Sequence, residues 1–214
     1  ATVWRTTTAG ADWDKVYEGD VDFDFVTDIE IVEDGTDQNM VAVYDGFTLP
    51  QQGGAVNSTD GGDTWNPALN GLPGFARIPR LCTSPADPST IFMSAATSDG
   101  HGTIYHTEDG GGSWTSTGWS GDQATDLACD PTDANVLYAA QSTGSPAARS
   151  DDRGVTFEPF DTGLSPTIGP RALAITSDPA APRLLMATAH GSYATPIAAG
   201  ITDRIFADGF EATP

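Results

Sequence analysis

Short apolar stretches bounded by Gly, Pro, Asp and Ser recur from one end of the chain to the other. Clear examples are residues 81–83, 102–106, 127–129 and 136–138, each much shorter than an ordinary helix. Runs of this length between turn-forming residues are typical of β-strands. The pattern therefore predicts an all-β protein built from many short strands.

An octet with shared Ser/Thr, Asp, Gly and aromatic positions recurs along the chain. Its clear copies are Ser58-Thr-Asp60-Gly-Gly62-Asp-Thr64-Trp65, Thr107-Glu-Asp109-Gly-Gly111-Gly-Ser113-Trp114 and Ser150-Asp-Asp152-Arg-Gly154-Val-Thr156-Phe157. A weaker copy occupies residues 6–13. The closing aromatic residues, at positions 13, 65, 114 and 157, are separated by 52, 49 and 43 residues, which marks an internal repeat.

The composition of the octet predicts a hairpin turn between two strands. Asp, Ser and Thr side chains bond to neighbouring backbone amides, and Gly adopts the positive φ that a chain reversal requires. The closing aromatic residue is expected to pack into the core. We therefore interpret Asp60, Asp109 and Asp152 as structural residues.

A second pattern, in which a loop joins two apolar strands, alternates with the octets. It includes Ser-Pro or Asp-Pro at residues 81–93, 127–138 and 173–186, and appears more loosely at 29–43. Together the two patterns predict units of about 45–50 residues with four strands, A to D, and the octet between C and D. Four-stranded units at this period are the signature of β-propeller blades.

Three complete blades are predicted, over residues 23–72, 77–118 and 124–165. A C–D pair is left at the start (1–19) and an A–B pair, with or without a C strand, at the end (170–198). Either the two halves pair into a fourth blade that closes the ring, or the chain is part of a larger ring or oligomer. The propeller would span 1–198, and residues 199–214 are expected to form a tail or an edge strand.

The octets resemble Asp-boxes, also called BNR repeats, of the β-propeller group that includes sialidases, sortilins, xyloglucanases and photosystem assembly factors of the Ycf48 kind. The resemblance covers about residues 1–198 and implies an all-β propeller of Asp-box blades. It implies little about activity, because these boxes are structural turns in enzymes and non-enzymes alike. In this group, ligands usually bind on the face opposite the boxes.

Composition and charge argue against several classes of protein. The 214 residues include 30 acidic and 9 basic side chains, for a formal net charge of −21, with 24 Gly and 15 Pro. This turn-rich composition argues against a helical bundle or a doubly wound α/β fold. The negative charge would repel nucleic acids and anionic membranes, and no apolar stretch has the length of a membrane-spanning helix. Neither nucleic acid nor membrane is an expected partner.

Charged residues of alternating sign stand at the start of the four predicted inner strands. They are Asp28, Arg80, Asp126 and Arg171. Two interpretations remain open. The residues form ion pairs between blades around the mouth of the central channel, or they form a polar ligand site with two carboxylates and two guanidinium groups.

Aromatic residues and a further arginine on the same predicted face suit a glycan ligand. Phe47, Phe75 and Trp119 lie in Gly-containing loops, where a ring either stacks on a sugar or simply caps a blade. Arg77-Ile-Pro resembles the sialidase tripeptide whose arginine binds the substrate carboxylate. It departs from the family pattern because it follows an Asp-box and no Tyr/Glu nucleophile pair accompanies it. The acid pair of a xyloglucanase has no matching motif here either, so no catalytic residue is assigned.

The two cysteines and one acidic strand bear on disulfide and metal chemistry. Cys82 and Cys129 fall on neighbouring inner strands, and they form a disulfide if their Cα atoms lie within about 7 Å, or remain buried thiols otherwise. Residues 20–24 place three Asp on one strand face, which either contributes to a calcium site or is simply solvated. The three histidines lack zinc-ligand spacing. Apart from calcium, no metal or cofactor is expected.

These features favour a secreted or periplasmic bacterial protein, because two Cys and one Lys in an acidic, Gly- and Thr-rich chain suit export. We predict a non-catalytic recognition or scaffold propeller whose ligand is a glycan or another protein. The alternative is a glycoside hydrolase, sialidase-like or xyloglucanase-like, or a portion of one. A convergent pair of acids at the channel mouth would favour the hydrolase, and an aromatic platform would favour binding.

Overall fold

The regular elements in the described part of the chain are all β-strands. The computed structural model describes residues 2–19, 25–33, 38–45, 53–73, 77–96, 101–141, 143–161, 164–165, 168–176, 182–189, 191–196 and 206–207. The strands are β1 (Thr2–Arg5), β2 (Asp14–Glu18), β3 (Phe25–Glu33), β4 (Gln38–Asp45), β5 (Gly54–Ser58), β6 (Asn66–Pro67), β7 (Arg77–Ser84), β8 (Asp87–Ala96), β9 (Gly102–Thr107), β10 (Thr115–Ser116), β11 (Ala124–Cys129), β12 (Leu137–Gln141), β13 (Ala147–Ser150), β14 (Glu158–Pro159), β15 (Pro170–Ile175), β16 (Arg183–Thr188), β17 (Gly191–Pro196) and β18 (Phe206–Ala207).

Strands β3 to β18 form four antiparallel sheets of four strands, each in sequential order. The sheets are β3–β6, β7–β10, β11–β14 and β15–β18, and the hairpin β1–β2 stands before them. We number the sheets blades 1 to 4 and name their strands A to D. The prediction of an all-β protein with repeated four-stranded units is confirmed.

Each pair of neighbouring blades encloses its own apolar core. Successive side chains of a strand point to opposite faces, so Leu81 of β7 packs between blades 1 and 2, while Cys82 packs between blades 2 and 3. In the same way, Leu127 of β11 packs between blades 2 and 3, and Ala128 packs between blades 3 and 4. The A strands of successive blades are therefore neighbours, as in a propeller.

The octets form hairpin turns that share one hydrogen-bonding scheme. Thr107 Oγ1 donates to Asp109 Oδ1 at 2.6 Å and accepts the amide of Gly111 at 3.0 Å, and Asp109 accepts the amide and hydroxyl of Ser113 at 2.9 and 2.7 Å. The same bonds recur among Ser58, Asp60, Gly62 and Thr64 and among Ser150, Asp152, Gly154 and Thr156. Gly111 has a φ of 92°, which only glycine adopts without strain.

The closing aromatic residues of the octets differ in burial. Trp114 is buried, and Trp65 and Phe157 are half-buried. Trp13 of the weaker copy is 57% exposed, so the expectation that it packs into the core is wrong. The hairpin β1–β2 has no inner strands of its own in the described structure, and its tryptophan therefore has no complete blade to cover.

The two ends of the blade array do not meet in the described part of the chain. The hairpin β1–β2 adjoins blade 1 and pairs with no strand of blade 4 there. Pairing of the two end halves into one closing blade, one of the two predicted alternatives, is therefore not the arrangement formed. The reason is that β17 and β18 already hold the C and D positions beside β16.

Candidate functional site

The inner strands β3, β7, β11 and β15 all run in the same direction within their blades. The end of the blades at which these strands begin is here called the strand-start end. Because neighbouring strands of a blade are antiparallel, this end also carries the B–C and D–A connections. The octet turns and the A–B turns lie at the opposite end. The charged residues of the predicted series stand at the strand-start end, but not all in register: Asp28, Arg80 and Asp126 hold the first paired position after the bulge of their strands, whereas Ala172 holds it in blade 4 and Arg171 comes one residue earlier.

Asp126 joins three blades at this end. Its Oδ2 accepts the backbone amide of Leu173 in blade 4 at 2.6 Å, and its Oδ1 lies 3.3 Å from Nε of Arg80 in blade 2. Burial raises the pKa of this carboxyl, although the amides of Leu173 and Leu127 and the charge of Arg80 favour the ionised form. Asp126 therefore serves as an inter-blade link, as the ion-pair interpretation of the series expects.

Asp28 repeats this arrangement two blades earlier. Its Oδ2 accepts the amide of Leu81 in blade 2 at 3.0 Å, and its Oδ1 accepts the amide of Ile29 at 2.9 Å. Asp28 thus accepts the amide one residue after Arg80 of the next blade, and Asp126 accepts the amide two residues after Arg171 of the next blade. The sequence predicted ion pairing but not these bonds to the backbone.

Three arginines present guanidinium groups at the strand-start end. Arg80 is 41% exposed although it pairs with Asp126. Arg77 is 68% exposed and lies 3.9 Å from Asp45 at the end of β4. Arg171 is exposed at the start of β15. Three of the nine basic residues in the chain therefore lie at this end.

Glu30 is a site residue that the sequence analysis missed. It lies two residues after Asp28 on β3, so the two carboxyl groups point to the same side of the strand. Burial and the neighbouring charge of Asp28 raise the pKa of Glu30 from 4.5 to about 7. The spacing of two residues on a predicted strand was the signal that could have identified this pair.

The aromatic residues proposed to stack on a sugar are not available as a platform in the described structure. Trp119 is only 8% exposed, its Nε1 donates to the carbonyl of Asp122 at 2.9 Å, and its ring meets that of Phe157 edge-on at 5.0 Å. Its prediction as an exposed sugar-binding residue is wrong, because it fills the core between blades 2 and 3. Phe47 and Phe75 lie outside the described residues.

Cys82 and Cys129 form a disulfide, with their Cα atoms 5.7 Å apart. Of the two alternatives that the sequence left open, the structure selects the bridge. It joins β7 and β11, the same two strands that carry Arg80 and Asp126. The strands that hold the Arg80–Asp126 ion pair are therefore covalently connected.

Metal and membrane features are limited in the described ranges. Residues 20–24, the acidic stretch considered for calcium, lie outside them, as does His190. The described His, Cys, Asp and Glu side chains include no group of three or more that could hold a metal ion. Within the same ranges, no helix has the length and apolar character needed to cross a membrane.

Comparison with known proteins finds similarity in structure but not in sequence. No protein-family model matches the chain, and no curated protein matches it. An ancestral GH74 enzyme superposes with a TM-score of 0.67 at 15% identity, over 97% of this chain and 28% of that one. The GH74 enzyme of Niastella koreensis superposes with a TM-score of 0.54 at 19% identity, over 76% and 27%.

A third solved structure shares the architecture. The GH93 α-L-arabinofuranosidase of Fusarium graminearum, in complex with arabinobiose, superposes with a TM-score of 0.50 at 16% identity, over 78% of this chain and 60% of that one. This chain therefore spans less than two thirds of the length of each of the three. Identities this low show the fold alone: the four-stranded sheets of this chain are arranged as in β-propellers.

Proposed function

We propose that this chain is a glycan-recognising β-propeller module that binds its sugar at the strand-start end without cleaving it. The observation that carries the proposal is the pair of Arg80 and Asp126, 3.3 Å apart on two blades, with Arg80 41% exposed. A guanidinium supplies planar donors, and a carboxylate supplies acceptors. The exposed guanidinium of Arg80 can donate to sugar hydroxyl groups, while Asp126, whose side chain is 11% exposed and whose two oxygens contact Leu173 and Arg80, holds that guanidinium in place.

The surrounding charges favour an anionic sugar. Arg77 and Arg171 add exposed guanidinium groups at the strand-start end of a chain whose net charge is −21. The same end also carries the carboxylates of Asp28, Asp45, Asp122 and Asp126, so a sugar carboxylate would be held by direct contact with the exposed guanidinium groups rather than by the net charge of this end. Arginine also binds carboxylates through two parallel hydrogen bonds, which adds geometric selectivity.

The fold and the inferred location of the protein outside the cytoplasm both support this proposal. Among the solved structures that share the fold are two GH74 enzymes and a GH93 α-L-arabinofuranosidase in complex with arabinobiose, so a propeller of this shape binds a sugar in at least one of them. We infer that the octets are Asp-boxes and that the protein is secreted or periplasmic in a bacterium. The Cys82–Cys129 disulfide supports the location, because disulfides persist in oxidising compartments.

A glycan-array screen of the purified chain, with calcium and with a chelator, tests the proposal. We expect binding to a class of acidic glycans, lost in Arg80→Ala and retained in the control Arg183→Ala. Arg183 is also exposed but stands at the start of β16, at the opposite end of the blade. A silent array under both conditions would reject glycan recognition and favour a protein partner. Equal loss in both variants would place the site elsewhere.

Glycoside hydrolysis is the second candidate function, and Glu30 is the observation that favours it. Asp28 and Glu30 lie on one side of β3, roughly 6–7 Å apart along the strand. A carboxyl with a pKa of about 7 suits a general acid. Both oxygens of Asp28 already accept backbone amides, which makes it a poor nucleophile or base.

A hydrolysis assay separates the two functions. Xyloglucan, arabinan and a sialoside would be incubated with the wild-type chain and with Glu30→Gln. The binding proposal expects no reducing sugar to be released from a glycan that the array shows to be bound. Hydrolysis that is abolished in Glu30→Gln and retained in Arg183→Ala would establish the enzyme instead.

A further inference from the structure

Each inner strand contains a β-bulge near its start. In β3, β11 and β15, the residue that the bulge leaves without a cross-strand partner is Thr27, Thr125 and Arg171, respectively. A bulge re-aims a side chain out of the regular alternation of a strand, and bulges are frequent beside functional sites. The side chain of Arg171 is therefore presented by a bulge, in a place where two other blades carry threonine.

The threonines at the bulges of β3 and β11 are used within the fold. Thr27 Oγ1 donates to the carbonyl of Val43 at 3.3 Å, and Thr125 Oγ1 lies 3.3 Å from the carbonyl oxygen of Ala140. In both blades the acceptor is the B-strand residue that pairs with the aspartate after the threonine. Arg171 holds the corresponding place in blade 4 and is exposed. It brings a charged group with five donors to a position where the other two bulges carry a hydroxyl group.

The backbone around Arg171 is anchored to blade 3. Thr125 Oγ1 also lies 3.3 Å from the carbonyl oxygen of Pro170, and Asp126 Oδ2 accepts the amide of Leu173 at 2.6 Å. Pro170 is fully buried, and its ring fixes its φ angle. Two consecutive residues of β11 thus bind the backbone immediately before Arg171 and shortly after it. The point from which its side chain extends is fixed relative to blade 3.

Arg171 differs from the other two exposed arginines of the strand-start end in its charge balance. Nε of Arg80 lies 3.3 Å from Asp126, and Nε of Arg77 lies 3.9 Å from Asp45. In the part of the chain that the structure describes, no carboxylate forms an ion pair with Arg171. Its guanidinium group can therefore bind an external carboxylate without first losing one from the described chain.

We propose that Arg171 selects acidic over neutral sugars at the glycan site, and that Thr125 acts as its positioning residue. This inference rests on the proposed glycan-binding function and divides it between two arginines. Arg80, whose charge is paired with Asp126, donates hydrogen bonds to sugar hydroxyl groups. Arg171 forms charge-assisted hydrogen bonds with the sugar carboxylate. Because its backbone is already held by β11, less conformational freedom is lost when the sugar binds.

Affinities for acidic sugars and their uncharged esters test this division. The probes are trigalacturonic acid and sialyllactose, each compared with its methyl ester by isothermal titration calorimetry. We expect the wild-type chain to bind a free acid about tenfold or more tightly than its ester, because the ester removes a charge-assisted hydrogen bond. Arg171→Gln should bring this acid-to-ester ratio close to one. Arg171→Lys keeps the charge but not the planar group, and should retain part of the ratio.

Variants of Thr125 separate positioning from stability. Thr125→Val removes the hydroxyl that binds Pro170 and should lower the acid-to-ester ratio about threefold or more, whereas Thr125→Ser keeps the hydroxyl and should keep the ratio. Thr27→Val is the matched control, because it removes the same kind of bond to a B-strand carbonyl at the bulge of β3. It should keep the wild-type ratio, and urea denaturation would compare the stabilities of the three variants.

The possible failures have different meanings. If the wild-type chain prefers a free acid and Arg171→Gln keeps that preference, Arg171 does not select the sugar, although the glycan proposal stands. Equal wild-type affinities for acid and ester would also overturn the inference and leave glycan recognition in place. An equal loss of the ratio in Thr27→Val and Thr125→Val would reject the positioning role. Binding of neither acid would overturn the inference together with the proposed preference for anionic sugars.

Discussion

At the scale of single residues, short polar side chains determine the turns of this fold. In each of the three clear octet turns, a buried Ser or Thr hydroxyl accepts the amide of a glycine four residues later, and the aspartate accepts the amide of the Ser or Thr before the aromatic. These bonds satisfy backbone groups that leave the strand ladder where the chain reverses. The octet is therefore a self-contained unit whose residues are specified by local hydrogen bonding.

Replacing Thr107 by Val tests the role of the buried hydroxyl. The side chain keeps its shape, but the buried amide of Gly111 loses its acceptor, and the free energy of unfolding should fall by about 1–3 kcal/mol. Urea denaturation measures the change. Ser113→Ala is the control, because its exposed hydroxyl leaves no buried group unpaired, and a loss as large as that of Thr107→Val would contradict this account.

The octet aspartates predict a loss of stability in acid. Bonds from Thr64 and Ser58 lower the pKa of Asp60 from 3.8 to about 2, and bonds from Thr156 and Ser150 lower that of Asp152. The stabilisation by Asp60 is present above the unfolded pKa and is lost as the pH falls from about 4 to about 2, and that by Asp152 is lost in the same direction. The melting temperature should drop across this range, and less steeply in Asp152→Asn. An unchanged slope in that variant would contradict the prediction.

Glu30 predicts the opposite dependence at higher pH. Burial and Asp28 raise its pKa from 4.5 to about 7, so the folded state retains a proton that the unfolded state has released. Its contribution is therefore present below about pH 4.5 and is lost as the pH rises to about 7. Glu30→Gln should narrow the difference in melting temperature between pH 4.5 and pH 7.5. An equal difference in both proteins would show that Glu30 ionises normally.

At the scale of elements, the starts of the inner strands hold neighbouring blades together. Asp28 and Asp126 each bind a backbone amide of the next blade, Arg80 pairs with Asp126, and a disulfide joins β7 to β11 just beyond them. Such links fix the relative position of two blades more firmly than apolar contact alone. They also hold the exposed guanidinium of Arg80 in a constant orientation.

Substitution of Asp126 separates its two bonds. Asp126→Ala leaves the buried amide of Leu173 without its acceptor and removes the ion pair with Arg80, and should lower the free energy of unfolding by about 2 kcal/mol or more. Asp126→Asn keeps an acceptor for Leu173, and should cost less than half as much. Chemical denaturation compares the two variants, and an equal cost would show that the amide bond contributes nothing.

Removal of the disulfide tests the link between β7 and β11. Cys82→Ser combined with Cys129→Ser opens a loop with a sequence separation of 47 and should lower the free energy of unfolding by about 4 kcal/mol. Reduction of the wild-type chain before denaturation should give a similar loss. A double variant as stable as the oxidised protein would contradict the prediction.

The sequence alone predicted the elements better than their contacts. The octets and the Ser/Asp-Pro loops identified the strands because turn chemistry is local. Trp119 was misassigned, since its burial depends on how the D–A connection packs against Phe157. Asp28 and Asp126 could be aligned by position, but their bonds to the amides of Leu81 and Leu173 depend on the offset between blades, which no local pattern encodes.

At the scale of the whole molecule, the two opposite ends of the blades differ in the turns and the basic residues that they carry. The octet turns and A–B turns occupy one end, and the strand-start end carries Arg77, Arg80 and Arg171. With a net charge of −21, long-range repulsion would steer an acidic glycan away from most of the surface. Binding should therefore weaken as salt is added, because exposed guanidinium groups are screened.

Mapping of the bound glycan by NMR tests the central claim most directly. The isotope-labelled chain would be titrated with the acidic glycan selected by the array, and backbone amide shifts would be followed. We predict shifts concentrated at the starts of β7, β11 and β15, around Arg80, Asp126 and Arg171, and abolished in Arg80→Ala but not in Arg183→Ala. Shifts concentrated at the octet turns, or persisting unchanged in Arg80→Ala, would contradict the account.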